Sequence, residues 1–195
     1  GIIAYFPHAV PAQAIEQEIH IIKTLLEKSG QDSGLAFEHS VLPDADWNES
    51  WKKGFTPLDV GETFTILPPW EERRQGRINL VIDPGMAFGT GHHETTRSCL
   101  VLMEKYAPRI KRDRFLDVGT GTGLLAIAAT KLGFKQVLGV DTDPLAIEAA
   151  KMNCELNDAA IVAVREGDIS VARGTYDVIA ANLFSGLLIK LAPEI

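Results

Sequence analysis

The sequence predicts an α/β fold in which a parallel β-sheet carries helices on both faces. From Arg114 onward, short apolar stretches alternate with longer stretches of helical periodicity, the pattern of a parallel sheet with crossover helices. Most of these short stretches are nearly continuous in hydrophobicity, as expected of strands buried on both sides. A glycine-rich turn, GTGTG at 119–123, joins the first strand to its helix.

The first residues predict a smaller unit ahead of this sheet. Residues 2–6 and 35–41 have strand patterns, and residues 11–28 have a helical one that ends before Gly30. The helix would place four apolar residues on one face, namely Ile15, Ile19, Ile22 and Leu26. We interpret residues 1–43 as part of a small α+β domain; the alternative is a decoration of the main domain.

Residues 44–77 are interpreted as a connector that packs on the main domain. It contains two short strand patterns, at 55–60 and 62–68, among several prolines. Its three tryptophans are expected to be buried anchors; they are Trp47, Trp51 and Trp70.

The main domain is predicted over residues 78–195. Strands are expected at 115–119, 136–141, 160–168 and 176–183, and helices at 99–106, 124–133, 143–157 and from about Ser185. Asp143 and Pro144 suit the first turn of the third helix. The last strand is apolar enough to be central in its sheet. We therefore expect further strands beyond Ile195, so that the chain would be truncated at its carboxyl end.

Composition limits the classes of function. The chain has 195 residues, 46% of them hydrophobic, and a net charge of −7, which argues against nucleic-acid binding by bulk electrostatics and is compatible with a basic protein substrate. Its two cysteines lie far apart, which disfavours a disulfide framework and indicates a reducing cytoplasm. The sequence has no apolar run of about 20 residues and no signal-peptide pattern, so a membrane protein is not expected.

The strongest functional pattern is FLDVGTGTGLLAIAA at 115–129. Its glycines, Gly119, Gly121 and Gly123, would let a ligand approach bare backbone at the end of a parallel strand. The spacing is GxGxG, not the GxGxxG of dinucleotide-binding turns. Asp141 ends the next strand and could accept hydrogen bonds from both hydroxyls of a ribose, while Asp117 could receive an ammonium. This arrangement predicts S-adenosyl-L-methionine; the alternatives are a glycine turn without a ligand and a nicotinamide nucleotide.

Two later strand ends complete the predicted crevice. Asp168 would lie near an adenine amino group, or would cap the following helical turn. Asn182 would face the crevice, where its side-chain carbonyl could accept a hydrogen bond from an attacking amine; the alternative is an Asx turn. Asn182 is therefore the candidate catalytic residue.

The segment VIDPGMAFGTGHHETTRS, residues 81–98, is a second glycine-rich loop that ends in hydroxyls at a helix start. Metal binding by His92, His93 and Glu94 is disfavoured, because adjacent residues do not share a helix face and no other ligands cluster in the sequence. We expect no metal site.

Five stretches occur together in this order: DWNESWKKGF, DPGMAFGTGHHETT, LDVGTGTGLLAIAA, GVDTDPLAIEAAKMN and ANLFSG. This combination closely resembles the bacterial ribosomal protein L11 methyltransferase family, from about Asp46 to the end of the chain. The resemblance implies a class I methyltransferase fold, S-adenosyl-L-methionine as cofactor, and methylation of lysine and N-terminal amines of ribosomal protein L11, which the small N-terminal domain recognises. It also implies that the FGTG loop covers the cofactor, with contacts from Phe88, Gly89, Thr90 and Thr96, and it matches Gly119, Asp141 and Asn182 to further contacts.

The chain departs from the family at the last motif. The family often has NILAGPL where this chain has NLFSGLL, a change that should preserve cofactor binding and that concerns the pocket for the target amine. Two other functions remain compatible with the motifs. One is a methyltransferase that acts on another amide, a nucleobase or a small-molecule amine, and the other is a non-catalytic cofactor-binding module.

Overall fold

The computed structural model describes residues 12–30, 55–84 and 93–193. The chain divides into two compact units, Gly1–Ser50 and Trp51–Ile195. In the first unit, helix α1 spans Ala12–Lys28, as the periodicity predicted, and Gly30 follows it with φ +77°. The predicted strands at 2–6 and 35–41 lie outside the described residues.

The second unit begins with a small three-stranded sheet. Strands β1 (Leu58–Val60) and β2 (Phe64–Leu67) form an antiparallel pair, and β3 (Ile78–Val81) pairs with β2 in parallel. Both short strands predicted in the connector are thus confirmed. The predicted burial of Trp70 is wrong: the side chain is 39% exposed, because it lies in the turn after β2, whose own four residues are all buried. Trp47 and Trp51 are outside the described residues.

The main sheet has four parallel strands in the order β6-β5-β4-β7. The strands are β4 (Arg114–Val118), β5 (Gln136–Asp141), β6 (Val162–Glu166) and β7 (Val178–Ala181). Four helices accompany them: α2 (Glu94–Tyr106), α3 (Leu124–Lys131), α4 (Pro144–Leu156) and α5 (Ser185–Leu191). Short 3-10 turns span Ala107–Arg109 and Ile169–Val171. The alternation predicted a parallel sheet, and the structure confirms it.

Local signals explain most of the helix boundaries. Asp143 caps α4 by accepting a hydrogen bond from the N–H of Leu145 at 2.9 Å, with Pro144 in the first turn. Helix α2 starts at Glu94, earlier than the predicted Cys99. The apolar period begins only at Cys99, but the polar residues before it complete another turn, capped by the His93 side chain, which accepts from the N–H of Thr95.

The two faces of the main sheet are covered differently. On one face, Phe115 and Val137 pack with residues of α2, α3, α4 and the small sheet, including Leu100, Ile127 and Phe64. On the other face, Leu116, Val118, Leu138 and Val140 pack against Ile169 of a 3-10 turn and Leu191 of α5. In the described residues, no helix is long and apolar enough to cross a membrane. The carboxyl ends of the main-sheet strands, with the turns that follow them, form the candidate functional site.

Candidate functional site

A cavity of about 630 Å³ opens at the carboxyl ends of the main-sheet strands. Its walls come from the turns after β4, β5, β6 and β7 and from the first turn of α2. These walls bring together seven of the residues predicted from the sequence: Thr96, Asp117, Gly119, Gly121, Asp141, Asp168 and Asn182. Phe88, Gly89 and Thr90 lie outside the described residues.

The glycine turn after β4 is shaped by backbone conformations that favour glycine. Gly119, Gly121 and Gly123 have φ values of +71°, +55° and +80°, where a side chain would be strained. Gly119 and Gly121 line the cavity. Gly123 instead lies behind the turn, where an added Cβ would come within 3.4 Å of the backbone of Ala150 on α4. The third glycine therefore allows the turn to pack closely on α4.

Asp117, near the end of β4, is a buried carboxyl group that lines the cavity. It accepts a hydrogen bond from the Thr120 hydroxyl at 2.7 Å and one from the N–H of Ala126. Burial raises the pKa of Asp117 to about 6, and the nearby charge of Asp141 adds to this rise, against the lowering effect of its two hydrogen bonds. A carboxylate in such a place would be stabilised by a cation in the cavity.

Asp141 ends β5 and accepts a hydrogen bond from the glycine turn that follows the neighbouring strand, β4. One carboxylate oxygen accepts the N–H of Gly121 at 2.9 Å, and the other accepts the N–H of Asp143 at 3.1 Å. Because a carboxylate has about four acceptor positions, each oxygen of Asp141 keeps capacity for a further donor. Its position in the cavity wall makes that capacity available to a ligand.

Thr96 and Asn182 are hydrogen-bonded to each other across the cavity wall. The Asn182 amide donates to the Thr96 hydroxyl at 3.0 Å, with Thr96 only 2% exposed. The bond ties the first turn of α2 to the end of β7. The bond uses the amide nitrogen of Asn182. The side-chain oxygen of Asn182 accepts no hydrogen bond from the described residues. Nothing in the sequence links two residues so far apart in the chain, so this pair was not predicted.

Asp168 lies in the cavity wall and also caps the 3-10 turn after β6. Its carboxylate accepts from the N–H of Ser170 at 2.9 Å and from the Ser170 hydroxyl at 2.5 Å, bonds that lower the pKa of Asp168. The alternative that Asp168 caps the following helical turn is thus seen in the structure, and the residue also lies in the cavity wall.

The sequence patterns did not identify several residues of the cavity wall. Thr120 donates a hydrogen bond to Asp117. In the sequence, the only indication of this role was its position between two glycines of the turn. Ile169, Leu183 and Phe184 supply apolar wall, and Phe184 is 85% exposed. Among residues 12–30, 55–84 and 93–193, no cluster of three histidine, cysteine or acidic side chains could hold a metal ion.

The sequence matches a known protein family along its length. The family model described as Ribosomal protein L11 methyltransferase (PrmA) matches residues 1–195. A ribosomal protein L11 methyltransferase from Pelobacter propionicus is 41% identical over 201 residues, covering 98% of this chain and 64% of the relative. One from Thermoanaerobacter pseudethanolicus is 39% identical, covering 100% of this chain and 64% of the relative. This chain thus spans less than two thirds of the length of these curated relatives.

A solved structure agrees with the fold as well. The ribosomal protein L11 methylase from Lactobacillus delbrueckii subsp. bulgaricus has a TM-score of 0.66 and 33% sequence identity, and the match covers 72% of each chain. Over the matched part, the fold of this chain is therefore similar to that of this methylase.

Proposed function

The chain belongs to the family of ribosomal protein L11 methyltransferases, and from this premise we propose that it is an S-adenosyl-L-methionine-dependent protein methyltransferase. Its substrates would be lysine and N-terminal amines of ribosomal protein L11. We propose residues 1–43 as part of the domain that recognises this partner, residues 44–77 as a connector and residues 78–195 as the cofactor-binding domain. The protein would act in the cytoplasm, on L11 that is free or assembled in the ribosome.

The observation that carries the proposal is the chemistry of the cavity wall. Asp117 and Asp141 lie at the ends of adjacent strands, and in the described part of the chain neither forms an ion pair with a lysine or arginine. Among the described residues that line the cavity, none is a lysine or an arginine. Two carboxylates without cations fit a ligand that carries an ammonium and a sulfonium, and they disfavour a dinucleotide with its phosphate charges.

Each site residue fits one part of this cofactor. Asp141 would accept hydrogen bonds from the ribose hydroxyls with the capacity that its two backbone bonds leave. Asp117 would bind the methionine ammonium, and Asp168 would lie towards the adenine. Gly119 and Gly121 would allow close approach to the turn. From the family resemblance, Phe88, Gly89 and Thr90 would add contacts from the preceding loop.

Asn182 would orient the amine that receives the methyl group. The cofactor supplies an electrophilic methyl group on sulfur, and alignment of the nucleophile can provide much of the rate enhancement. The free side-chain oxygen of Asn182 would accept an N–H of the amine and aim its lone pair. The amine must be neutral, a state of roughly one lysine in a few hundred near pH 8 when its pKa is about 10.4. Partial burial of the amine would raise that fraction.

The proposal is tested by titrating S-adenosylhomocysteine into the purified protein by calorimetry and by following transfer of labelled methyl groups to L11. Asp141→Ala should remove most of the affinity, because it deletes two charge-assisted hydrogen bonds worth about 1.5–3 kcal/mol each. Asp141→Asn, which retains one acceptor oxygen, should lose less. Label on lysines or the N-terminus of L11 would support the substrate assignment, and label only on other molecules would contradict it.

Asp177 is a matched control for Asp141. It also accepts two backbone N–H groups, from Asp113 at 3.0 Å and Arg114 at 2.7 Å, but at the opposite end of the sheet. Asp177→Ala should therefore lower the free energy of unfolding while leaving cofactor affinity unchanged. Unchanged affinity in a folded Asp141→Ala variant would refute the assignment of the ribose site.

A further inference from the structure

Asn153, on the inner side of α4, joins two chain segments that are far apart in sequence. The residue is fully buried. Its side-chain oxygen accepts the N–H of Asp83 at 2.9 Å, and its amide donates to the carbonyl of Thr122, also at 2.9 Å. One side chain thus satisfies a backbone donor in one segment and a backbone acceptor in the other.

One of these segments belongs to the candidate site, and the other precedes the helix α2 in the chain. Asp83 follows β3, and α2, whose Thr96 lines the cavity, begins at Glu94. Thr122 belongs to the glycine turn after β4, whose Gly119 and Gly121 also face the cavity. Asn153 itself is absent from the cavity wall, so it reaches the site only through these two segments.

We propose that Asn153 is a positioning residue that holds the end of β3 and the glycine turn after β4 in register with each other, and so keeps the glycine turn in the shape that binds the cofactor. The inference rests on the proposed function, since it assumes that the cavity binds S-adenosyl-L-methionine. The preceding turn of α4 supports the same contact, because Ala150 is fully buried and packs against Gly123. The face of α4 that carries Ala150 and Asn153 therefore forms the back support of the glycine turn.

The chemistry of the asparagine side chain suits this position. The Asp83 bond needs an acceptor and the Thr122 bond needs a donor, and an uncharged amide offers both at one carbon. An apolar residue of similar size would satisfy neither. An ionised aspartate would keep the acceptor but turn an oxygen towards the Thr122 carbonyl, while adding a buried charge.

Asn157, the residue that follows the last turn of α4, offers a matched control. It is 3% exposed, accepts the N–H of Val81 at 2.9 Å, and donates to the carbonyl oxygens of Val81 at 2.6 Å and Asn153 at 2.8 Å. It is as buried as Asn153 and has at least as many side-chain bonds. However, its side chain forms no hydrogen bond with Asp83 or with the glycine turn among the described residues, so its loss should affect stability without releasing both segments.

The experiment compares Asn153→Ala with Asn157→Ala in the full chain, at a temperature where both are folded. We expect similar decreases in Tm, at least a tenfold loss of S-adenosylhomocysteine affinity for Asn153→Ala, and less than a threefold loss for Asn157→Ala. Amide hydrogen exchange in the ligand-free proteins should accelerate at Asp83 and across residues 119–123 only in the Asn153 variant. If Asn153→Ala does not fold, Asn153→Ser replaces it, since its hydroxyl adds no buried charge and is too short to bridge Asp83 and Thr122, and Asn157→Ser becomes its control.

The outcomes separate the two proposals. Equal losses of affinity in the two variants, or no loss in a folded Asn153 variant, would overturn the positioning role. Wild-type protein that binds neither the cofactor nor its product would instead overturn the proposed function. In that case, hydrogen exchange still decides whether Asn153 holds the two segments: unchanged exchange at Asp83 and residues 119–123 would overturn the inference, and faster exchange at both would support it.

Discussion

Replacing Asp117 with asparagine should stabilise the ligand-free protein and weaken its binding of cofactor. The buried carboxyl group has a pKa raised from 3.8 to about 6, chiefly by burial. An asparagine carries no charge to bury, and its side-chain oxygen can still accept the N–H of Ala126. The Thr120 hydroxyl, which donates to Asp117, can rotate to accept from the new amide.

The magnitude follows from the linkage between protonation and folding. A shift of about 2 pKa units corresponds to about 3 kcal/mol at 1.36 kcal/mol per unit. Below pH 3.8 Asp117 is protonated in both the folded and unfolded states, so it carries no ionisation penalty. As pH rises from 3.8 to about 6, the unfolded chain releases the proton first and stability falls. Above that range the full penalty applies.

Urea denaturation of wild type and Asp117→Asn between pH 4 and 8 measures this difference. The variant should gain stability relative to wild type as pH rises to about 6, approaching about 3 kcal/mol above it. Calorimetry with S-adenosylhomocysteine should show about a tenfold or greater loss of affinity, as expected for one charge-assisted bond of about 1.5–3 kcal/mol.

Asp113 is a control with the opposite sign. The pKa of this half-buried carboxyl group is lowered to about 2 by hydrogen bonds and ion pairs with Lys111 and Lys135. Its contribution to stability is present above pH 3.8 and is lost as pH falls towards 2, so Asp113→Asn should destabilise the protein slightly at neutral pH. A stability difference for Asp117→Asn that stays constant from pH 4 to 8 would refute the burial argument.

Two further changes test the cavity wall. Asn182→Ala should lower the rate of single-turnover methyl transfer roughly tenfold to a thousandfold and reduce cofactor affinity less. Thr96→Val should give a smaller loss of rate, because it frees the Asn182 amide. A wild-type rate with only weaker cofactor binding in Asn182→Ala would make Asn182 a cofactor ligand. Gly119→Ala should lower the free energy of unfolding by about 1–2 kcal/mol, since it places a side chain at positive φ and against the side chain of Leu183. Urea denaturation that shows no loss would contradict this.

Much of the main domain could be predicted because its signals are local. The strand at β4, the glycine turn and helix α3 are contiguous, and Asp143 with Pro144 marks the start of α4 within two residues. The family motifs added the prediction that the cofactor is S-adenosyl-L-methionine. Strand order, by contrast, depends on which strands pair across the whole domain, and no single stretch encodes it.

The hydrogen bonds that connect the residues of the site could not be predicted, for a related reason. The hydrogen bonds from Asn182 to Thr96 and from Asn153 to Asp83 and Thr122 join residues that no periodic pattern connects. Asparagine is also common at helix ends and in turns, so its type alone did not distinguish Asn153 from a surface residue. Trp70 shows the converse error, in which a residue type usually associated with burial lies in an exposed turn.

The energetics of the cavity explain why its residues combine opposite effects on stability. Asp117 opposes folding at neutral pH because its charge is buried without a cation among the described residues, whereas Asn153 and Asp141 add hydrogen bonds that hold the turns around it. A turn free to move would let water reach the Asp117 carboxylate and lower its pKa towards the ordinary value. Support behind the glycine turn should therefore help to keep this carboxylate desolvated, and a desolvated carboxylate attracts an ammonium more strongly than a hydrated one. On the proposed function, in which Asp117 binds the methionine ammonium, support on α4 and charge on β4 would act on the same ligand group.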